Sequence, residues 1–342
     1  MVNPLKILKT YYGYEAFRDD QLSIINEVIK GVDCLVLKPT GAGKSLCFQL
    51  PALCLPGTAV VISPLISLMQ DQVSKLKDKG IAAEFLNSSL SEEETKSIKA
   101  NIHNIKLLYI SPERFNLSSF QSWLKGVNIS FFAIDEAHCV SRWGHDFRPD
   151  YLSVKQIKNN FHKPIIALTA TADIKTRLDI INQLQLENYK TFVASFDRPN
   201  LTLLVEEKLE QSGQAQLLKF LKSHKDESGI IYCLSRKKVD DTTKFLKKQG
   251  FNAVAYHAGM GGVKRSASQE KFLSEEGVIA VATIAFGMGI DKPNVRFVVH
   301  LDLPQNLEAY YQEIGRAGRD GLESDCLLLY SYQDFALRNL RT

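Results

Sequence analysis

The sequence has little that would staple or anchor the chain. Its six cysteines stand at positions 34, 47, 54, 139, 233 and 326, with no Cys-x-x-Cys pair among them. Several sit in apolar runs, so reduced core thiols are expected, and neither a disulfide frame nor a zinc site. No apolar run is long enough to cross a bilayer, and residues 1–12 lack the apolar stretch of a secretion signal. These absences predict a soluble chain in a reducing compartment, neither secreted nor in a membrane. An excess of one charge is lacking as well. The net charge is only +4 over 342 residues, which excludes a uniformly basic surface, so any polyanion site has to be a local groove.

The length prior is about two domains. Apolar residues make up 45% and charged residues 23%, which suits a well-buried core. The organising stretch is Leu35-Val36-Leu37-Lys38-Pro39-Thr40-Gly41-Ala42-Gly43-Lys44-Ser45. An apolar run that reads as a strand feeds a glycine turn, and Lys-Ser opens a helix. Such a turn points successive backbone N–H groups into one hollow, and the following helix adds its positive end. That hollow fits nucleotide phosphates, with Thr40, Gly41 and Gly43 forming it. Lys44 is expected on the β- and γ-phosphates and the Ser45 hydroxyl on Mg²⁺. The strict pattern has glycine where this chain has Lys38. Kinases, transporters, GTPases and motors share the cradle, so alone it names no function.

Upstream, Tyr14, Arg18 and Gln21 precede a helical stretch over 22–30. The planar amide of Gln21 matches the donor and acceptor on the adenine edge, while Tyr14 and Arg18 can cover the base. Downstream, 59–63, 106–110, 129–134 and 164–168 read as strands, alternating with helices such as 65–79. Ser91 and Glu94 form a capping box. The alternation predicts a mostly parallel sheet covered on both faces, with ligands at the carboxyl ends of its strands. Asp135-Glu136-Ala137-His138 sits at such an end, where adjacent carboxylates are costly without a task. Asp135 is expected on Mg²⁺ and Glu136 on the attacking water. The loop that follows interleaves Trp143 and Phe147 with arginines, Arg148 among them, a composition suited to unpaired bases and phosphates.

Residues 195–200 are turn-rich and mark the expected boundary between domains 1–197 and 198–342. The alternation then restarts, with strands at 229–233, 252–256, 278–283 and 297–301. No second phosphate loop follows, so a second independent ATPase is not expected. Gln312, Arg316 and Arg319 are spaced to share one helical face. Arginines delivered from a second lobe can complete an NTPase site, worth about 10³ to 10⁵ in rate. Residues 283–291, ending at Asp291, form a flexible turn expected to face the same cleft.

Together these stretches closely resemble the RecQ family of superfamily-two DNA helicases, from about Tyr11 to about Tyr332. The matching words are Gly13-Tyr14 through Gln21, Pro39 to Ser45, Ser63-Pro64-Leu65, Asp135 to His138, Trp143 to Arg148, Phe286 to Pro293 and Tyr311 to Gly321. The Trp143-Gly144-His145-Asp146-Phe147-Arg148 loop separates this family from RNA helicases with similar acidic boxes. The resemblance implies two tandem RecA-like lobes, each a mostly parallel sheet flanked by helices. It implies ATP and Mg²⁺ as cofactors and 3′-to-5′ movement on single-stranded DNA, with Trp143, His145, Phe147 and Arg148 sensing the strand. Tailed or branched duplex DNA is the implied substrate, in repair, recombination and replication. The implied location is cytoplasmic and nucleoid-associated in a prokaryote, or nuclear in a eukaryote. The open alternatives are an ATP-switched clamp or annealing module and an RNA-directed ATPase of the same superfamily. Three departures stand out. Asp19-Asp20 replaces the usual Pro-Gly, Gly261-Gly262 replaces polar residues, and the chain stops at Thr342 without zinc, winged-helix or tail modules. A core fragment or a minimal enzyme is therefore expected.

Overall fold

The structure is a computed structural model that describes residues 3–141, 143, 147–170, 172–195, 197–209, 213–287, 292–332 and 334. The chain divides into two compact units, Met1–Phe196 and Asp197–Thr342.

The first unit contains β1 (Cys34–Leu37), β2 (Thr58–Ile62), β3 (Ala83–Leu86), β4 (Leu107–Ile110), β5 (Ile129–Ile134), β6 (Ile165–Thr169) and β7 (Lys190–Val193). They form one sheet in the order β3-β4-β2-β5-β6-β1-β7, and every pairing between them is parallel. Burial on both faces explains why the central strands are near-continuous apolar runs. Alternate residues serve opposite faces: Leu35 and Leu37 join one core cluster, Cys34 and Val36 the other.

The second unit holds β8 (Leu201–Glu207), β9 (Ser228–Tyr232), β10 (Ala253–Tyr256), β11 (Ile279–Ala282), β12 (Val295–His300) and β13 (Ser324–Tyr330). Their order is β10-β11-β9-β12-β13-β8, again parallel throughout. Val295 and Val298 pack on one face of β12, Phe297 and Val299 on the other. The expectation of two mostly parallel sheets flanked by helices is met.

Four strands were not among those expected. β3 is short and half-buried, while β7 and β8 are exposed edges without a clean apolar period. β13 carries a legible apolar run, Cys326 to Leu329, that the strand reading passed over. All six cysteines are free thiols and five are buried. No described helix is long and apolar enough to cross a membrane.

Candidate functional site

The end of β1 runs straight into the glycine turn. Gly41 and Gly43 adopt positive φ of 83° and 73°, a region that favours glycine because it has no Cβ. Gly43 is doubly constrained, since a Cβ there would lie 2.4 Å from Gln21 Nε2. Ser45 is already right-handed helical, and the helix Leu46–Cys54 follows it directly. Thr40, Lys44 and Ser45 are all half-buried. Lys44 folds back over the turn and donates to the carbonyls of Lys38 at 3.0 Å and Pro39 at 3.3 Å.

The sheet order sets the neighbours of this turn. β6 separates β1 from β5, so the phosphate turn and Asp135-Glu136 flank the end of β6. Thr169, the last residue of β6, connects them. Its carbonyl accepts from Lys38 N at 3.2 Å, and its hydroxyl lies 2.9 Å from His138 Nδ1. Burial raises the Asp135 carboxyl well above the ordinary carboxylate range, the Glu136 charge raises it further, and the nearby Lys44 charge works the other way. Its described hydrogen-bond partners are neutral: Glu136 N at 3.0 Å and Ser63 Oγ at 3.4 Å. Ser63 thus serves the acidic pair, and the next helix, Ile66–Asp78, has no side-chain cap. Glu136 adopts left-handed backbone angles, φ 48° and ψ 48°. Such a non-glycine conformation costs about 1–3 kcal/mol and persists only where its surroundings hold it. Here Tyr151 donates to the Asp135 carbonyl at 3.1 Å on one side, and the short 3₁₀ turn Ala137–Val140 follows on the other.

Of the residues expected at the base, Gln21 reaches the phosphate turn. Gln21 is buried, with Oε1 accepting from Arg18 N at 2.9 Å and Nε2 donating to Gly43 O at 3.3 Å. Tyr14 and Arg18 are exposed. Trp143 is 66% exposed, and Lys175 Nζ lies 4.6 Å from its ring centroid. Phe147 is half-buried. Arg148 donates to Pro64 O at 3.1 Å, tying its loop to the turn after β2. His145 lies outside the described residues, as does Asp291.

In the second unit the expected helical face is corrected. The helix Leu307–Ile314 carries Gln312 but stops before both arginines. Arg316 and Arg319 occupy the turn that follows, in which Gly318 has a positive φ of 56°. The physical reason is that backbone N–H groups a helix would need point elsewhere: Gly318 N donates to Val295 O at 2.9 Å and Asp320 N to Pro293 O at 3.3 Å. Arg198 donates to Ala317 O and Gly318 O, both at 2.9 Å, and Asn200 donates to Gly318 O at 3.0 Å. Arg316 is buried and donates to Gly287 O, while Arg319 and Gln312 are half-buried. Glu313, beside Gln312, is buried against His300 at 2.7 Å. Sequence reasoning missed Arg198 and Asn200, which it took for a plain joint, and also Tyr151. Arg-Pro-Asn is an ordinary turn composition, so no local signal marked the first two.

Residues 18–180 match the DEAD/DEAH box helicase family, and residues 213–321 match the helicase conserved C-terminal domain. The ATP-dependent DNA helicase RecQ of Haemophilus influenzae is 49% identical over 335 residues, 97% of this chain and 54% of that protein. The probable ATP-dependent DNA helicase RecS of Bacillus subtilis is 42% identical over 334 residues, 97% of this chain and 67% of that protein. A solved structure of the DUF1998 helicase MrfA bound to DNA and AMPPNP matches with a TM-score of 0.80 at 18% identity, over 100% of this chain and 52% of that one. At that identity the likeness speaks for the fold. The chain spans about half the length of the first curated relatives it matches.

Proposed function

This chain belongs to the RecQ family of superfamily-two helicases, and from that premise we propose that it is an ATP-driven DNA motor core. In this reading it hydrolyses ATP to move 3′-to-5′ along single-stranded DNA and open tailed or branched duplexes, in repair, recombination and replication. The observation that carries the reading is the convergence of the phosphate turn and the acidic pair on the two sides of Thr169. A phosphate cradle without a placed carboxylate binds nucleotide; with one beside it, water can be activated.

The roles follow from the chemistry of each group. Tyr14, Arg18 and Gln21 take the adenine. Thr40, Gly41, Gly43 and Lys44 take the phosphates. Mg²⁺ fits the residues present, because Ser45 and Asp135 offer oxygen ligands and a divalent cation would relieve the buried Asp135 charge. When bound, the ion supplies charge neutralisation at the phosphates. Glu136 orients the attacking water and accepts its proton. Arg316 and Arg319, with Gln312 in support and Asp291 at the nucleotide, are assigned to the terminal phosphate. Trp143, His145, Phe147 and Arg148 are assigned to the DNA strand.

The test is ATP turnover by this chain with single-stranded DNA, with RNA and with neither, alongside strand separation on a tailed duplex. DNA should stimulate turnover well above RNA. Equal or greater stimulation by RNA would replace the DNA reading with an RNA-directed one. Nucleotide-dependent DNA binding without turnover would replace the motor with a clamp.

A further inference from the structure

Two departures, one from the general phosphate-loop pattern and one from the family's, meet in the structure. Lys38 stands at a glycine position of the phosphate-loop pattern, and Asp19-Asp20 stands where Pro-Gly is usual. The Lys38 side chain is 0% exposed, and its ammonium bonds to Asp20 Oδ1, with Asp19 Oδ2 at 3.9 Å. A lysine buried that completely stays charged only beside a carboxylate, because a lone ammonium in the interior gives up its proton instead. Asp20 is therefore a fixed partner of Lys38.

Lys38 is also a junction for the rest of the site. Its N–H donates to Thr169 O and its carbonyl accepts from Lys44 Nζ. Asp20 directly precedes Gln21, whose amide ties this segment to the phosphate turn: Oε1 accepts from Arg18 N and Nε2 donates to Gly43 O. Each of these atoms has a second lone pair or a second N–H with which to meet an adenine edge. The Gly43 bond, at 3.3 Å, is the glutamine's own tie to the phosphate turn. The ion pair is a second tie between the same two segments, and it does not depend on the Gln21 amide.

We propose that the Asp20–Lys38 pair is a positioning device that keeps the base-recognition segment docked on the phosphate turn as Gln21 engages adenine. The pair touches no nucleotide. It acts by sparing the binding step the cost of ordering the Tyr14–Gln21 segment. The inference rests on the ATP-hydrolysing function proposed above.

The experiment compares Asp20→Asn, Lys38→Met, the double variant and Asp20→Glu with the unaltered chain. It reads KM and kcat for ATP under saturating single-stranded DNA, and the melting temperature of each protein. Asp20→Asn leaves a buried ammonium short of its partner, so it should lower the melting temperature and raise KM. The double variant removes the buried charge and should recover the melting temperature. Its KM should stay high, on the order of tenfold above the unaltered chain, the size of one lost charge-assisted hydrogen bond, with kcat little changed. Asp20→Glu should recover both. A double variant with normal KM, or a KM that merely follows melting temperature across the set, would make the pair structural and overturn the proposal. If the unaltered chain turns over no more ATP than Lys44→Ala, it is the function reading that falls, and this inference falls with it.

Discussion

The two units follow one plan and use it differently. Numbered within each unit, the strand order is third, fourth, second, fifth, sixth, first in both, and the first unit adds a seventh strand outside its first. That addition buries β1 completely, while β8, its counterpart, is an exposed edge among the described residues. The contrast is sharper at the fifth strand of each sheet. β5 ends at Ile134, and the next residue is Asp135, a buried carboxyl whose described hydrogen-bond partners are neutral. β12 ends at His300, two residues before Asp302, which accepts from Lys238 at 2.6 Å and lies 3.6 Å from Lys208. Past the two strand ends thus stand an acid kept at a cost and an acid paired with two lysines. The difference is that the second unit sets lysines against its acid, whereas the first leaves Asp135 with neutral hydrogen-bond partners and only the nearby Lys44 charge to offset it.

The largest expected effect tests the uncompensated side. Glu136→Gln should cut ATP turnover by about 10² to 10⁴, the usual contribution of a general base, while nucleotide binding persists. Unchanged turnover would end the parallel between acid and activity. The next effect contrasts the two aspartates by thermal and urea unfolding. Asp302→Asn should destabilise the second unit by about 3 kcal/mol, because Lys208 and Lys238 lose a common partner in a largely buried setting. Asp135→Asn should raise the melting temperature while abolishing turnover, since it removes a charge the fold holds poorly. A fall in melting temperature for both would show that the two acids are equivalent.

Trp143 has no counterpart in the second unit, where the chain after β12 runs into Asp302-Leu303-Pro304. Trp143→Ala should keep basal hydrolysis and lose stimulation by single-stranded DNA, about tenfold if one base-stacking contact carries the coupling. Stimulation as strong as in the unaltered chain would remove the loop's role. The smallest effect lies after the third strand of each unit. The helix Glu92–Ala100 begins with a complete capping box at Ser91 and Glu94, whereas Gly262–Ser274 begins at Gly261 with no side-chain cap. Gly261 has extended backbone angles and open space for a side chain. Gly261→Ser should therefore stabilise by about 0.5 kcal/mol, read as a small rise in urea midpoint.

Much of this was legible in the sequence. The central strands announced themselves because parallel strands buried on both faces need unbroken apolar runs. The glycine turn and the acidic pair announced themselves because their chemistry requires fixed residue types at short spacing. The edge strands β7 and β8 did not, since exposed residues carry no burial period. The placing of Arg316 and Arg319 on a helical face failed for a related reason. Spacing of three and four suits a helix, but Val295 and Pro293, distant in sequence, accept from the Gly318 and Asp320 N–H groups that would have continued it.

The sequence alone pointed to the stretches proposed for phosphate, water and base chemistry, because each proposal rests on neighbours along the chain. Tertiary structure decided which charges are answered. Lys38 finds Asp20, Asp302 finds Lys208 and Lys238, and Asp135 sits against neutral donors. Burial and Coulomb interactions act through space over a few ångströms, so no local pattern encodes their outcome.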